Sequence, residues 1–290
     1  MTTVHGPTVG RRRLRSALRR ARDAAGLTQE QVAAAMDWSL SKLIRIEAGS
    51  VSISTNDVKA LLGHYRMTDQ HQIDELVELA RVSRRRTWWS QYKDTLPSAY
   101  AAYIGLEAEA FRLSFFQPSG IPGLLQTESY ARAAVTAAST TVGDTMDAEQ
   151  IEVRHAIRMR RQKEVLDRPD RPDIDVVLDE AALHRQTGGP ESLREQLRHL
   201  AAVGRRPQVT IRVLPFTAGD YAPQGPFVIL RFPDDDDTDI VYLEGVLAQD
   251  VLDRPTDVAA YQQMFDRLWE MSLQPDESIE KITKMADQLG

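Results

Sequence analysis

Apolar residues in the first third of the chain recur at helical spacing, in short runs separated by capping chemistry. Leu14, Leu18 and Ala21 share one face of a first helix, which Gly26 ends. Thr28 opens the next, with Gln31 three residues on in the capping-box spacing T-x-x-Q, and this helix runs to about Met36. Asp37 and Trp38 make a turn, Ser39 caps a third helix to about Glu47, and Gly49 stops it. A cluster of capping residues at 54–57 opens a helix through Tyr65, and Asp69 begins another that lasts to about Arg84. The pattern predicts an all-helical domain.

Arg84, Arg85, Arg86, Trp88 and Trp89 then break the periodicity, and the domain boundary is placed just after them, giving residues 1–93 and 94–290. This junction is read as a hinge that packs its tryptophans on the second domain, with a grip on a nucleic-acid backbone as the alternative. Beyond it, 97–109 reads as a helix, and Phe111, Leu113 and Phe115 alternate with Arg112 and Ser114 as in a strand. Residues 118–123 carry turn chemistry, and helices are expected at 127–138 and 147–166. The β-branched runs 174–178 and 209–214, separated by helical patterns at 180–186 and 190–203, suit a β-α-β crossover. Residues 227–232 and 240–243 flank 233–239 as a hairpin does, and helices at 258–271 and 277–289 follow. The class is α+β: a helical domain followed by a larger mixed α/β domain. There is no internal repeat, and the only low-complexity patch is Asp234 to Asp237.

Charge sharpens this division. The net charge of −6 hides a split: residues 1–93 hold 16 Lys and Arg against 9 Asp and Glu, +7, and the remainder 20 against 33, −13. A basic head on an acidic body fits a nucleic-acid reader joined to something else. The chain has no cysteine, which excludes disulfides, cysteine zinc sites and cysteine nucleophiles. The opening residues are charged without an apolar run, so no signal peptide is expected, and no stretch approaches the roughly 18 apolar residues of a membrane span. A cytoplasmic protein without membrane contact is expected.

The segment LTQEQVAAAMDWSLSKLIRIEAG, Leu27 to Gly49, carries the most specific signal. Val32, Ala33, Met36, Trp38, Leu43 and Ile46 fall where two helices packed across a short turn must be apolar. The segment resembles the XRE, or lambda-repressor-like, helix-turn-helix family, over about residues 11–66. The resemblance implies that Ser39, Leu40, Ser41 and Ile44 stand at or near base edges in the major groove, with Arg45 at their margin. It also implies that Lys42 holds a phosphate, and that Gln29 holds a phosphate or braces the base readers. The turn position that is commonly glycine in the family is Asp37, tolerable because Asp enters the left-handed region at modest cost. Leu40 and Ile44 replace polar readers and suit thymine methyl groups; single exposed apolar residues and a dimer contact are the alternatives. Arg11, Arg12, Arg13, Arg15, Arg19, Arg20 and Arg22 form a basic arm with no acidic residue before Asp23, either a solvated face or a phosphate clamp.

A second resemblance covers residues 98–284. The stretches IPGLLQTESYARA (121–133), RRQKEVLDR (160–168), VLDEAALHR (177–185), EQLRHL (195–200) and VTIRVLP (209–215) are similar to the C-terminal domain of WhiJ-like actinobacterial regulators of development and antibiotic production. That family is often encoded beside a small partner protein, in an arrangement likened to toxin–antitoxin pairs, so that an antitoxin-like member of such a pair is an alternative reading. The resemblance implies a regulator of double-stranded operator DNA, expected to be a repressor, whose C-terminal domain binds a small protein encoded nearby. A homodimer on an inverted repeat is expected, since one short helix reads few base pairs.

Two other readings of the second domain compete. Asp179 and Glu180, or Asp234 to Asp237, would supply carboxylates for a metal or an acid–base pair, with His184 nearby, but no phosphate loop, dinucleotide fingerprint or nucleophile elbow accompanies them. His155, His184 and His199 fall on helices without metal-site spacing. No enzyme, cofactor or metal is therefore expected. A small-molecule sensor lined by Phe111, Phe115, Phe116 and Phe227 is the alternative to partner binding, with the same residues as core the simpler reading.

Overall fold

The computed structural model describes residues 6–92, 95–141, 146–219, 221, 225–233, 238–245 and 249–289. The run Asp234 to Asp237 lies outside them. The chain divides into two compact units, Met1–Glu109 and Ala110–Gly290. Residues 95–109, assigned to the second domain from sequence, fall in the first unit.

The first unit is helical: α1 (Pro7–Ala24), α2 (Gln29–Ala35), α3 (Leu40–Glu47), α4 (Thr55–His64), α5 (Gln70–Val82) and α6 (Ser98–Glu107), with a short 3-10 turn at Trp88–Tyr92. The caps explain where these helices start. Thr28 and Gln31 form the reciprocal capping box of α2, Ser39 accepts from the Lys42 amide, Ser54 from Asp57, and Asp69 from His71 and Gln72. Gly26 and Gly49 take φ of 68° and 74°, and Asp37 takes 54°, so all three helix ends turn through the left-handed region. Leu14, Leu18, Val32, Leu43, Ile46, Val58, Leu61 and Leu76 meet in one core, with Trp38 and Met36 packed against it. Trp88 and Trp89 meet edge to face at 5.7 Å, and a Cβ on Gly105 would come within 2.9 Å of Trp89. The tryptophan ring thus packs on α6, inside the first unit.

The second unit is a six-stranded mixed sheet with helices. Its elements are β1 (Arg112–Gln117), a 3-10 turn at Gly123–Leu125, α7 (Glu128–Thr141), α8 (Ala148–Leu166), β2 (Asp173–Asp179), α9 (Glu180–His184), α10 (Pro190–Val203), β3 (Val209–Leu214), β4 (Phe227–Arg231), β5 (Ile240–Glu244), β6 (Gln249–Leu252), α11 (Pro255–Met271) and α12 (Pro275–Gln288). The strand order is β3-β2-β1-β4-β5-β6. β2 and β3 are parallel, as the predicted crossover requires, β4 and β5 are the predicted hairpin, and β1 joins the two halves by pairing parallel to β2 and antiparallel to β4. One face packs Phe116, Val177, Leu214, Phe227 and Ile229 against Val258, Phe265 and Leu268 of α11.

The alternation expected at β1 needs correction. Phe111 precedes the strand and is 44% exposed, whereas Ser114 is buried beside Leu113, Phe115 and Phe116. A central strand covered on both faces has no solvent side to alternate with. Phe115, Phe116 and Phe227 are buried core.

Candidate nucleic-acid interface

The site is built around α3. Ser39 starts it, and its helical repeat separates two faces: Leu43 and Ile46 are buried, while Leu40, Ser41, Ile44 and Arg45 are exposed. Leu40 is 37% and Ile44 44% exposed, large apolar side chains left in water on the face away from the core. Fully burying such a side chain gains roughly 1.5–3 kcal/mol, and part of that gain is left for a contact outside the unit. Lys42 lies at the border. Its Nζ is 3.7 Å from the centroid of the Trp38 ring and 3.7 Å from Asp57 Oδ2, so two local partners hold the ammonium beside the N-terminus of α3.

The other end of α3 is held by a charge cluster that sequence reasoning passed over. Glu47 is 1% exposed. Arg22 grips it with two nitrogens, Nε to Oε1 at 2.7 Å and Nη2 to Oε2 at 3.1 Å, and Gln29 Nε2 donates to Oε2 at 2.8 Å. Gln29 thus braces α3 from the start of α2. Hydrogen bonding to Glu47 raises the Arg22 pKa further above its ordinary value, against the opposing effect of burial. Burial, then the Glu47 charge, pushes the Tyr65 hydroxyl up to about 12. The only signal in the sequence was a glutamate, Glu47, two residues before Gly49, a spacing that marks a helix terminus rather than a buried ion.

The basic arm lies along α1: Arg11, Arg19 and Arg20 are exposed and the other four half-buried, and several of them bond within the unit. Arg19 Nη2 donates to the Glu47 carbonyl at 3.1 Å, Arg15 Nη1 to the Ala48 carbonyl at 3.4 Å, and Arg22 Nη1 to Leu27 O at 2.9 Å. Three arginines on successive turns of α1 therefore meet the carbonyl end of α3 and the turn before α2, where the helix macrodipole favours cations. Arg11 Nη2 donates to the Ser83 carbonyl after α5 at 3.0 Å. Arg12 and Arg13 are half-buried in the first turns of α1.

The carboxylates weighed in the second unit have structural partners. Asp179 caps α9 through the Ala181 amide at 2.8 Å and accepts from the Tyr221 hydroxyl. Glu180 binds Lys281 Nζ at 2.6 Å and the Phe216 amide at 2.9 Å. Burial raises its pKa, but these partners outweigh it and the net shift is downward. His155, His184 and His199 lie on α8, α9 and α10, and among the described residues no group of three His, Asp or Glu side chains is placed to hold a metal. No described helix is long and apolar enough to cross a membrane.

Comparison with known proteins agrees with this division. Neither a curated protein nor a solved structure matches the chain. Residues 13–76, from α1 to α5, match the family described as a helix-turn-helix domain, which makes the protein a DNA-binding regulator of that type. With residues 100–284 matched, well over half its length, the chain belongs to the family described as domain of unknown function (DUF5753), and carries its helix-turn-helix reader in front of that domain.

Proposed function

We propose that the protein is a sequence-specific repressor that binds operator DNA as a homodimer, with α3 in the major groove and the C-terminal unit taking the input. The observation that carries this reading is the exposed face of α3: Leu40, Ser41, Ile44 and Arg45 stand together on a helix whose far end is fixed by Glu47. Leu40 and Ile44 would meet thymine methyl groups, and Ser41 and Arg45 would supply hydrogen bonds. Ser39 caps the helix at the groove, and Lys42 takes a phosphate. Arg11, Arg12 and Arg13 are assigned flanking phosphates; Arg11 uses one of its five N–H donors on Ser83. Gln29 is kept as a brace, because its amide is engaged by Glu47.

Selection of duplexes from a random library by the full chain, followed by variants on the selected site, tests the reading. Leu40→Ala or Ser41→Ala should lower discrimination by about 1–3 kcal/mol per lost base contact, whereas Lys42→Ala should weaken all sequences alike. Specificity changed by Lys42→Ala and untouched by Leu40→Ala would reverse the orientation of α3. Two heads on an inverted repeat should protect half-sites about 34 Å apart.

For the second unit, the proposed input is a small protein encoded nearby, as the resemblance to WhiJ-like regulators implies. Phe216 supports this reading: it is 63% exposed and stacks on the His184 ring at 5.7 Å, an aromatic anchor of the kind protein interfaces favour. Copurification separates the readings: a small protein supports this one, and a bound small molecule would make the unit a sensor.

A further inference from the structure

We propose that Glu109 is a positioning residue for operator reading: by capping the N-terminus of α1, its carboxylate places the helix whose other end holds α3. The inference rests on the assignment of α3 as the operator reader.

α1 has 18 residues, a rod of roughly 27 Å. Its N-terminus lacks local capping, since the N-cap is Gly6 and the first turn contains no acidic residue. The open amides are met from far along the chain instead. Thr8 N donates to Glu109 Oε1 at 2.8 Å, and Val9 N to Glu109 Oε2 at 2.8 Å. A carboxylate bound to two amides at the positive end of a helix dipole is favourably placed on both counts.

The surroundings are shaped for this contact. A Cβ on Gly6 would fall 2.1 Å from Glu109 Cδ, so the cap residue must be glycine for the carboxylate to occupy its place. A Cβ on Gly105 would fall 2.2 Å from Thr8 Oγ1, so α6 approaches the first turn of α1 more closely than any larger residue permits. About two to four turns along the same rod, Arg15, Arg19 and Arg22 take hold of the carbonyl end of α3 and of Glu47. One helix thus carries the cap at one end and the reader at the other.

The location of the cap along the chain gives it a further meaning. The family of unknown function begins at residue 100, inside α6, yet α6 belongs to the first compact unit. Two residues after Glu109, Phe111 N donates to Arg231 O and Phe111 O accepts from Asp173 N, the first bonds of the six-stranded sheet. The residue that caps α1 therefore stands on the segment by which the C-terminal unit is joined to the reader.

The test uses the full chain and its selected operator, with Glu109→Ala, Glu109→Gln and Gly6→Ala. The expected result is an operator affinity about fivefold weaker for Glu109→Ala, within the usual range of coupling between sites. The salt dependence should be unchanged, because no phosphate contact is removed. Glu109→Gln, which keeps an acceptor but loses the charge, should fall between. Gly6→Ala leaves Glu109 in the chain but displaces its flexible carboxylate, and should match Glu109→Ala. The double variant should be no worse than Glu109→Ala alone. Hydrogen exchange should show lost protection at Thr8 and Val9, with the α5 amides still protected. Variants that lose this protection and bind the operator as tightly as the parent would overturn the proposal, since a merely structural cap alters unfolding and leaves the affinity of the folded protein unchanged. A parent chain that selects no duplex would overturn the operator reading itself, and this proposal with it.

Discussion

Each unit buries a carboxylate at a helix end, and the two are satisfied by opposite means. Glu47, 1% exposed, is the last residue of α3, where the carbonyl dipoles repel an anion. It is held by a bidentate arginine and an amide. Asp179, 8% exposed, is the N-cap of α9, where the dipoles attract an anion. A backbone amide and a tyrosine hydroxyl suffice, and among the described residues no cation is bound to its carboxylate. The position of an acid relative to the helix dipole thus decides whether it needs a counter-charge, and the head recruits its arginines for that reason. Each carboxylate also has a tyrosine neighbour pushed up to about 12. For Tyr65 the causes are burial and then the Glu47 charge; for Tyr221 they are burial and then its hydrogen bond to Asp179.

The largest test of the contrast is Arg22→Met. It leaves Glu47 buried at the wrong end of a dipole, and should destabilise the head by about 3–5 kcal/mol while the sheet unit keeps its stability, as read by hydrogen exchange in each unit. An effect below about 1 kcal/mol would show that Gln29 alone can hold the ion.

Asp179→Ala should cost the second unit less, about 1–2 kcal/mol by denaturant unfolding, because it removes a cap and leaves no unpaired charge behind. A loss as large as that of Arg22→Met would mean that Asp179 has a structural role beyond capping.

The smallest effects come from the tyrosines. Tyr221→Phe removes a hydrogen bond to a carboxylate and should cost about 1.5 kcal/mol at neutral pH. Tyr65→Phe should cost nothing and raise stability by up to about 1 kcal/mol, since it removes a buried hydroxyl that has no hydrogen-bond partner. Their alkaline behaviour should be alike. A phenol whose pKa is raised in the folded state contributes stability that is full below its unfolded pKa of 10 and lost as pH rises through about 12. Each Tyr→Phe variant should therefore flatten the loss of its own unit between pH 10 and 12 in an unfolding series.

What could be read from the residues alone was local. Thr28 with Gln31, Ser39, Ser54 and Asp69 cap the helices they were expected to cap, and Asp37, Gly26 and Gly49 turn the chain where expected, because these signals act within four residues. The parallel β2–β3 pair and the β4–β5 hairpin also follow from local runs and their spacing. Only the tertiary structure placed β1 between them, and so buried Ser114 in what read as an alternating strand. β6 escaped notice because Gln249, Asp250, Val251 and Leu252 carry no strand pattern; pairing with β5 makes them one. The exposed face of α3 was expected from the resemblance to the lambda-repressor-like family, not from its apolar repeat, in which Leu40 and Ile44 read like core. The direction of the arginines of α1, the burial of Glu47 and the cap from Glu109 were not legible, since each depends on partners up to 33, 25 or 101 residues away that only packing brings near. Short-range hydrogen bonding is written in the order of residues, whereas the neutralisation of a buried charge is decided by whichever distant side chain the packing brings to it.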